Sequence, residues 1–430
     1  MNRWREDWSV LADPALRTEP LDRLKYIPLP FGDPQSYLSL GLTVRERFEL
    51  NDAPSFGTGG NKDDSYVLDR VQWYVDVRPN AHWQIFVEFE DVRAPGKSDI
   101  KPVDENPLDL RLAFITYVDS FWGGTLKARV GRQEMAFDLQ RFVSVRDGPN
   151  VRQAYDALWL DWEQREWRFI AFWSQPVQYR DQQPFDDFSD QHLQYGGVRV
   201  ERAIGPGALS AYYSLFIKDN AKYLDASGDE HRDNVDIRYA GAAAGFDWDL
   251  EAMGQFGDVG DKEIRAWAVG CLSGYTLAGL GWTPRLGLQI DAASGDDNPG
   301  DNTLGTFNPL FPNGYYFTLA GYTGYTNVIH LKPSLTVRPT TKLALMIGPG
   351  LQWRETTADA VYVQPNSAVP GTAGKAGRWS GFYIQSRADW AITPSLLAGV
   401  EVVYFQIGDV LRDAGGHDST YLGVQLLYGW

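Results

Sequence analysis

The chain of 430 residues contains few of the residues on which common catalytic and metal sites depend. Its single cysteine, Cys271, excludes an internal disulfide and gives no sign of a zinc or redox site. The five histidines are scattered, and no nucleophile elbow, phosphate-binding loop or zinc pattern accompanies them. His192, beside Ser189 and Asp190, is the one cluster that a hydrolase could use. The sequence therefore argues against an enzyme and against a resident cofactor.

Long apolar runs are missing too, and so is an excess of positive charge. The longest uncharged stretch, 266–284, could span a bilayer, but glycine, serine and threonine interrupt it, and we interpret it as strand, turn and strand. The first residues, 1–8, carry charges instead of an apolar segment, so an exported protein would be present here in its mature form. A formal net charge of −16 argues against nucleic acid as a partner.

Aromatic residues, by contrast, are abundant. They make up 14% of the chain and include 16 Trp, 22 Tyr and 21 Phe. The mean hydropathy is nevertheless −0.35, so the large rings are spread through polar sequence. A transmembrane β-barrel accounts for this combination, because its outer wall ends in two aromatic girdles at the lipid–water interfaces.

The hydrophobic pattern repeats every second residue, as in a strand with one apolar face. In 37–50, leucine, valine and phenylalanine alternate with serine, threonine, arginine and glutamate, and 83–90 and 209–218 alternate in the same way. A soluble sandwich would show this alternation as well. The final segment, 421–430, also alternates and finishes on Trp430, which resembles the assembly signal of outer-membrane barrels; an ordinary amphipathic strand is the alternative.

The connections between these segments separate the two interpretations. Short, turn-like connections lie at 78–81, 204–207, 338–341 and 392–395, and long polar ones lie near 51–65, 94–108, 142–153, 180–192, 219–233, 293–326 and 355–377. Bacterial outer-membrane barrels have tight periplasmic turns and long extracellular loops. We predict an all-β fold: a single transmembrane antiparallel barrel over 37–430 with about 18 strands, or about 16 as the alternative. Residues 1–36 are expected at the periplasmic end, at or in the pore mouth.

Several motifs, taken in order, resemble the alginate-export family of outer-membrane proteins. They are 26–28 with LGLTVRERFE at 40–49, PVDENPLDLRLAF at 102–114, VGRQE at 130–134, RFVSVRDGPNVR at 141–152 and PFDDFSDQ at 184–191. The likeness covers most of the chain. It implies a monomeric barrel of the predicted size with a charged, partly occluded lumen, in which arginines attract an anionic uronate polymer. The inward faces of this chain mix arginines with carboxylates, which departs from a purely cationic pore.

Charged residues on the inward faces are the candidate pore-lining residues. They are Arg45, Arg47, Arg70, Arg111, Arg129, Arg132, Arg141, Arg146, Arg152, Glu88 and Asp76. A guanidinium binds a carboxylate through two parallel hydrogen bonds, which suits uronates and other carboxylated solutes. Alternatively, the arginines neutralise carboxylates on neighbouring strands, a structural role worth about 0.2–1 kcal/mol for each pair.

Three structural details are left open by the sequence. Segment 141–152 is the best candidate for a loop that folds inward and narrows the pore, with a solvated extracellular loop as the alternative. Arg129 and Arg132 lie on opposite faces of one strand unless a bulge intervenes. The loop 293–326 combines Asp296, Asp297 and Asp301 with many tyrosines, so bound calcium is conceivable there, although the spacing fits no known calcium loop.

These features favour a channel of the bacterial outer membrane that passes acidic saccharides or related carboxylated solutes, in either direction. A general or aromatic-solute diffusion porin for uptake is the first alternative. A barrel enzyme using His192 and a purely structural or adhesive barrel are alternatives of other classes. The expected partners are the lipid bilayer, lipopolysaccharide and a small-molecule or oligosaccharide solute, and the expected state is a monomer.

Overall fold

The structure is a computed structural model that describes residues 2–30, 33–60 and 63–430. Met1, Phe31, Gly32, Asn61 and Lys62 lie outside the described residues, together with the small parts of the predicted N-terminal segment and first long loop that they represent. Within the described ranges, no helix is both long and apolar enough to cross a membrane.

Eighteen antiparallel strands form a closed barrel. They are β1 (Tyr37–Asn51), β2 (Asp64–Arg78), β3 (Trp83–Arg93), β4 (Asn106–Phe121), β5 (Gly124–Gln133), β6 (Tyr155–Gln164), β7 (Trp167–Gln178), β8 (Leu193–Ile204), β9 (Gly207–Lys222), β10 (Ser227–Ala243), β11 (Phe246–Val259), β12 (Lys262–Thr276), β13 (Arg285–Ala293), β14 (Val328–Thr340), β15 (Leu343–Trp353), β16 (Trp379–Ala391), β17 (Leu396–Ile407) and β18 (Ser419–Gly429). Each strand pairs with the next, and β18 pairs with β1 from Thr43↔Gly429 to Asn51↔Tyr421, which closes the sheet. The predicted all-β barrel is confirmed, with the larger of the two strand counts.

The strands alternate between an apolar outer face and a polar inner face. Val130, Val198, Ile237 and Leu286 point outward, and each keeps more than half of its surface exposed. Their neighbours along the strands, including Arg129 and Arg199, are buried inside the barrel. A wall with an uncovered apolar exterior and charged residues on its interior is the arrangement expected of a barrel that spans a membrane.

Exposed aromatic rings lie towards both ends of the outer wall. Near the tight turns they are Trp83, Phe121, Trp167, Phe246, Trp390 and Tyr428. In the halves of the strands nearer the long loops they are Trp173, Phe256, Trp267, Trp379 and Tyr404. Rings of this kind anchor a barrel at the two interfaces, because their apolar bodies and polar edges suit the headgroup region.

The long loops lie at one end of the barrel, which we call the loop end, and we call the opposite end the tight-turn end. Two connections at the loop end, 223–226 and 260–261, are short as well. Short connections such as 122–123 and 244–245 lie at the tight-turn end; Trp122 and Gly123 have φ of 49° and 74°, as a two-residue hairpin requires. The long connections are 52–63, 94–105, 134–154, 179–192, 294–327, 354–378 and 408–418.

The expected long loop at 219–233 is wrong. Strand β9 continues through a bulge to Lys222, and β10 begins at Ser227, so the connection is 223–226 only. Glu230 points inward and pairs with Arg232 at 2.6 Å. The loop-end half of β10 looks like a polar loop in the sequence because both of its faces are polar: Glu230 and Arg232 point inward, and Asp229, His231 and Asp233 lie on the outer face.

Two long loops enter the barrel and build an apolar core inside it. Loops 134–154 and 294–327 pair there through Ser144 N–H to Phe311 O at 3.0 Å and Phe311 N–H to Phe142 O at 2.9 Å. Their rings pack on inward-facing residues of the wall. The buried members of this core include Phe137, Phe142, Phe307, Phe311 and Phe317 from the loops and Tyr155, Phe172, Tyr195, Tyr212 and Phe216 from the strands. Part of the lumen is therefore dry.

The N-terminal segment packs against the inner wall at the tight-turn end. It contains the 3₁₀ turns Arg3–Arg5, Ser9–Ala12 and Pro14–Leu16 and the short helix α1 (Asp22–Lys25), and its residues Ile27–Pro28 pair with β1. Arg3 Nε donates to Thr43 Oγ1 at 3.1 Å, and Gln84 Nε2 donates to the Trp4 carbonyl at 2.9 Å. At the loop end lie the 3₁₀ turn Pro54–Gly60 and helix α2 (Asp409–Asp413).

The remaining short strands join the loops to the wall or to themselves. Phe188–Ser189 pairs with β7, and Thr303–Leu304 runs parallel to β12. Tyr362–Val363 and Ser367–Ala368 form a separate small hairpin within loop 354–378. These pairings hold the ends of the long loops close to the barrel rim.

Candidate functional site

Strands β1, β2 and β4 bring a group of arginines to one side of the lumen. Arg45, Arg47, Arg70 and Arg111 are each at most 4% exposed and point inward. Arg111 does so because a bulge opposite Glu88 and Phe89 inserts one residue into β4, which turns both Arg111 and Leu112 inward. The bulge could not be anticipated from the alternation.

The loop residue Asp147 lies against this group. Its Oδ1 is 2.9 Å from Arg70 Nη2 and 3.3 Å from Arg152 Nε, and its carbonyl accepts from Arg45 Nη1 at 3.0 Å. Its side chain nevertheless keeps 64% of its surface exposed to the lumen. Enclosure by the barrel opposes ionisation, but Arg152, Arg70 and Arg45 outweigh it and hold the pKa of Asp147 well below its usual range. Two arginines thus contact one accessible carboxylate, and a third holds the main-chain carbonyl of the same residue.

Asn150 fixes the same loop to the wall. Its Oδ1 accepts from Arg45 Nη2 at 3.2 Å, and its carbonyl accepts from Arg70 Nη1 at 3.1 Å. Segment 141–152 therefore lies inside the barrel, and Arg45 and Arg70 hold it there. Loop 134–154 is thus held in the lumen by hydrogen bonds and an ion pair from the arginines of β1 and β2.

Other arginines are neutralised by buried carboxylates. Arg111 contacts Glu134 and lies 3.4 Å from Glu88 and 3.5 Å from Glu90, and Arg152 Nη2 is 2.9 Å from Glu134. Arg47 lies 2.6 Å from Glu49 and 2.7 Å from Glu401. Arg47 and Arg111 therefore have little exposed surface left for a solute, whereas Arg152 also contacts the exposed Asp147.

Arg141 is the most enclosed member of the predicted set. It is 1% exposed and bonds Asp249 at 2.6 Å and Glu251 at 2.5 Å on β11. Burial opposes its charge, but Tyr316, Glu251 and Asp249 outweigh that effect and raise the pKa of Arg141. Arg141 ties loop 134–154 to the far wall and is not accessible to a solute.

Arg132 does not line the lumen, so its inclusion among the pore-lining residues is wrong. It shares the outer face of β5 with Val130, and it pairs with Asp156 of β6 at 3.0 Å. The strand keeps its regular pleat between Arg129 and Arg132, and residues three apart in a regular strand face opposite sides. Because no bulge separates Arg129 from Arg132 in β5, only Arg129 points into the lumen.

The remaining predicted residues lie nearer the two ends of the barrel. Asp76 is 1% exposed near the tight-turn end, with Arg78 Nε at 3.1 Å. Arg146 lines a cavity of about 530 Å³ at the loop end together with Tyr179, Phe216 and Phe311. Arg129 lines a cavity of about 490 Å³ at the tight-turn end. Polar cavities therefore lie at both ends of the barrel.

The cluster considered for hydrolysis is not assembled. His192 Nδ1 lies 2.6 Å from Asp219 Oδ2, whereas Ser189 donates its hydroxyl hydrogen to Asp156. The serine and the histidine thus have different partners. The geometry offers no activated nucleophile at this position.

The described acidic residues of loop 294–327 do not form a cluster of three carboxylates that could hold a metal ion. Asp296 receives the Asn298 N–H at 3.3 Å, and burial, together with the nearby Asp225 and Asp359, raises the pKa of Asp296 to about 6. Across the described ranges, the one group of three carboxylates within 4.8 Å is Asp109, Asp186 and Asp187. Calcium bound by the 293–326 loop stays a prediction.

Several partners of the arginines were not found from the sequence. Glu134, Glu251 and Glu401 each neutralise an arginine that is distant in the chain, whereas Glu49 neutralises Arg47 from two residues along the same strand. Strand alternation places Glu49, Glu251 and Glu401 on inner faces, and this was a usable signal. The partner of each could not be chosen without the register.

A closed barrel with an apolar wall, aromatic rings towards both ends and a charged interior defines a bacterial outer-membrane channel. The sequence profile of the alginate export family matches residues 36–425. The chain therefore belongs to the alginate export family, as its motifs indicated. It is a channel of the bacterial outer membrane and not an enzyme.

Solved structures of Pseudomonas aeruginosa outer-membrane proteins share the fold. OpdK is similar with a TM-score of 0.58 at 11% identity, OccK8 (OprE) with 0.59 at 10%, and OccK2 (OpdF) in complex with glucuronate with 0.57 at 12%. Each similarity covers 91% of this chain and 98% of the other. No curated protein matches the sequence. The structural matches are low in identity and bear on the fold alone.

Proposed function

We propose that the channel passes carboxylated solutes of the uronate type, and that Arg45, Arg70 and Arg152 bind the solute carboxylate. The observation that supports this most directly is Asp147, a carboxylate already held at 2.9 Å by Arg70 and 3.3 Å by Arg152 on the wet side of the lumen. A solute carboxylate has the same shape and charge as the Asp147 side chain. These arginines are thus arranged for that chemistry.

In this proposal Asp147 competes with the solute. Its side chain is 64% exposed, so a solute can reach the arginines from the lumen water. Exchange of one carboxylate for another leaves the buried Arg70 neutralised throughout, which avoids the penalty of an unpaired buried charge. A site that binds through exchange also releases its solute readily, as conduction requires. The glucuronate bound to OccK2 is a solute of the same class.

A general diffusion porin is the second candidate. It is favoured by the internal neutralisation of Arg47, Arg111 and Arg141, which leaves much of the lumen without net attraction for anions. In that case Asp147 and Arg70 would serve only to hold the loop.

Single-channel recording separates the two functions. D-glucuronate is added to the unmodified protein in planar bilayers, with glucose as the neutral probe. We expect glucuronate, but not glucose, to block the current, and Arg70→Gln to weaken this block about tenfold, equivalent to about 1.4 kcal/mol. Equal effects of glucuronate and glucose would favour the diffusion porin.

The control is Arg285→Gln. Arg285 is an inward-facing arginine at the tight-turn end, 2.8 Å from Asp247 and remote in sequence from the Asp147 site. The substitution Arg285→Gln removes the same charge from the barrel as Arg70→Gln does. A similar loss of block in both variants would show that the overall field matters and not the site.

A further inference from the structure

The cavity at the tight-turn end contains an unbalanced group of charges. Its volume is about 490 Å³, and one carboxylate, that of Glu163, lines it. The cationic side chains that line it are Arg5, Arg78, Lys127, Arg129 and Arg168. The N-terminal segment supplies Arg5, and strands β2 to β7 supply the others.

Two of these cations are already neutralised. Arg78 Nε lies 3.1 Å from Asp76, and Arg168 lies 2.6 Å from Asp161 and 3.3 Å from Glu163. Because Glu163 is engaged by Arg168, the single lining carboxylate does not compensate the other cations. The positive charge that remains belongs to Arg5, Lys127 and Arg129.

These three cations form no ion pair with any carboxylate of the described ranges. Arg129 is 6% exposed, and its one hydrogen bond to a described residue runs from Nε to Thr116 Oγ1 at 3.1 Å. Its two terminal nitrogens therefore face the cavity without an acceptor among the residues that the structure describes. A nearly buried guanidinium without an acceptor is costly unless something else in the site binds it.

Trp4 holds the two guanidinium groups in place. The Arg129 Cζ lies 3.9 Å from the centroid of the Trp4 ring, and the Arg5 Cζ lies 4.9 Å from it. The Trp4 carbonyl is anchored by Gln84, and its ring meets Phe114 edge-on at 6.1 Å. The aromatic face lowers the cost of gathering like charges, and the donors of Arg129 remain available.

We propose that Arg5, Lys127 and Arg129, gathered around Trp4, form a second carboxylate-binding site for the transported solute at the tight-turn mouth. The chemical class of the ligand rests on the proposed function, whereas the existence of an anion site rests on the unpaired cations. A planar carboxylate fits the free terminal nitrogens of Arg129, with Lys127 and Arg5 as additional charges. In bacterial barrels this mouth faces the periplasm.

The site complements the group around Asp147. One site holds a carboxylate from the loop, and the other has no carboxylate to displace among the residues that the structure describes. Two modest sites in series allow a solute to enter and still leave, which a single tight site would prevent. The tight-turn site should therefore act on solute that arrives from its own side.

The test uses channels inserted in one known orientation, with D-glucuronate added to each side separately. We expect Arg129→Gln to raise the half-blocking concentration about tenfold for addition from the tight-turn side, equivalent to about 1.4 kcal/mol. We expect no more than about a twofold change for addition from the loop side. Lys127→Gln and Arg5→Gln should give smaller shifts of about threefold each, because they contribute charge without the two-pronged geometry.

Arg285→Gln is again the matched control, since it removes a neutralised cation at the same end but outside the cavity. Heat-modifiable migration on gels shows that each variant is folded. If Arg129→Gln and Arg285→Gln behave alike, the cavity is not a binding site. If Arg129→Gln has no effect while Arg70→Gln weakens block, the tight-turn site is wrong and the proposed function stands. If glucuronate blocks the unmodified channel from neither side but inorganic phosphate does so through Arg129, the anion site stands and the uronate function is wrong.

Discussion

The cationic side chains in the middle of the lumen differ from those at its tight-turn mouth in how many carboxylates they contact. In the middle, Arg47, Arg111 and Arg141 each contact two or more carboxylates. At the mouth, Arg5, Lys127 and Arg129 contact none among the described residues, although Arg129 is nearly as buried. The number of arginines in a pore therefore says little about its selectivity. What matters is how many of them the protein has left unpaired.

The paired arginines serve mainly to position loops. Arg141 joins loop 134–154 to β11, and Arg199 and Arg238 hold Asp138 of the same loop at 2.6 and 2.7 Å. Buried ion pairs contribute little net stability compared with apolar residues, but the loss of one partner is severe. The unpaired cations have no carboxylate partner among the described residues, so we expect them to lower stability and to keep their charge available to a ligand.

The largest expected effect comes from breaking a pair in the middle. Arg141→Gln leaves Glu251 buried without its cation, so the free energy of unfolding should fall by about 3–5 kcal/mol. Urea unfolding in detergent micelles, followed by tryptophan fluorescence, measures it. Arg265→Gln removes an arginine whose side chain is 69% exposed beside Glu263 and should cost less than about 1 kcal/mol. Similar losses in both variants would contradict the distinction between buried and exposed ion pairs.

The next effect concerns the carboxylate at the boundary between the two regions. Asp147→Asn removes the competitor of the solute, so glucuronate should block the channel at about tenfold lower concentration, a gain of about 1.4 kcal/mol. Single-channel recording measures the half-blocking concentration. Asp99→Asn is the control, because Asp99 is a loop carboxylate with 75% of its side chain exposed. Weaker block by glucuronate in Asp147→Asn would mean that Asp147 only fixes the loop.

A pH-dependent effect is expected at the loop end, where Asp187 lies close to two other carboxylates, Asp109 and Asp186. Burial and the nearby Asp109 raise the pKa of Asp187 to about 7, although the Arg180 N–H and Asn106 lower it. The folded protein then binds more protons than the unfolded chain between about pH 4 and pH 7, so this group lowers stability as the pH rises through that window. Asp187→Asn should stabilise the protein by about 1 kcal/mol at pH 8, allowing for solvent screening, and by much less at pH 4. Unfolding at both pH values in the presence of a chelator measures this; an equal effect at both would contradict it.

The smallest effect on stability is expected at the tight-turn mouth. Arg129→Met removes an unpaired buried cation and keeps a long apolar side chain beside Trp4, so the free energy of unfolding should change by less than about 1 kcal/mol. Urea unfolding alongside Arg141→Gln gives the comparison directly. A loss as large as that of Arg141→Gln would mean that Arg129 has a structural partner after all.

Much of the fold could be predicted because it depends on local patterns. Alternation in 37–50 and the turn residues at 204–207 and 392–395 place the strands, and β1 to β18 follow in chain order without crossings. The error at 219–233 arose in the loop-end half of β10, where Glu230 and Arg232 on the inner face alternate with Asp229 and His231 on the outer face, so that strand and loop have the same composition. The alternation also predicted that Arg129 and Arg132 lie on opposite faces unless a bulge intervenes. The continuous register of β5 places Arg129 inside and Arg132 outside.

The candidate site could be predicted only as a set of residue types. Arg45, Arg70 and Arg129 were placed on inner faces from the sequence, but whether each was paired was not accessible to it. Asp147 meets Arg70 across 77 positions of the chain, and Trp4 meets Arg129 through the fold of the N-terminal segment. Arg111 was also predicted on an inner face, but the alternation did not reveal the bulge that turns Leu112 inward beside it.

The sequence by itself determined a barrel, its strand order and which side of each strand is wet, because a pleated strand repeats every two residues and lipid tolerates few charges. The tertiary structure alone decided which charges meet inside the lumen. That decision depends on strand register and on how loops 134–154 and 294–327 fold back into the barrel. These are long-range contacts, and no short segment of the chain encodes them.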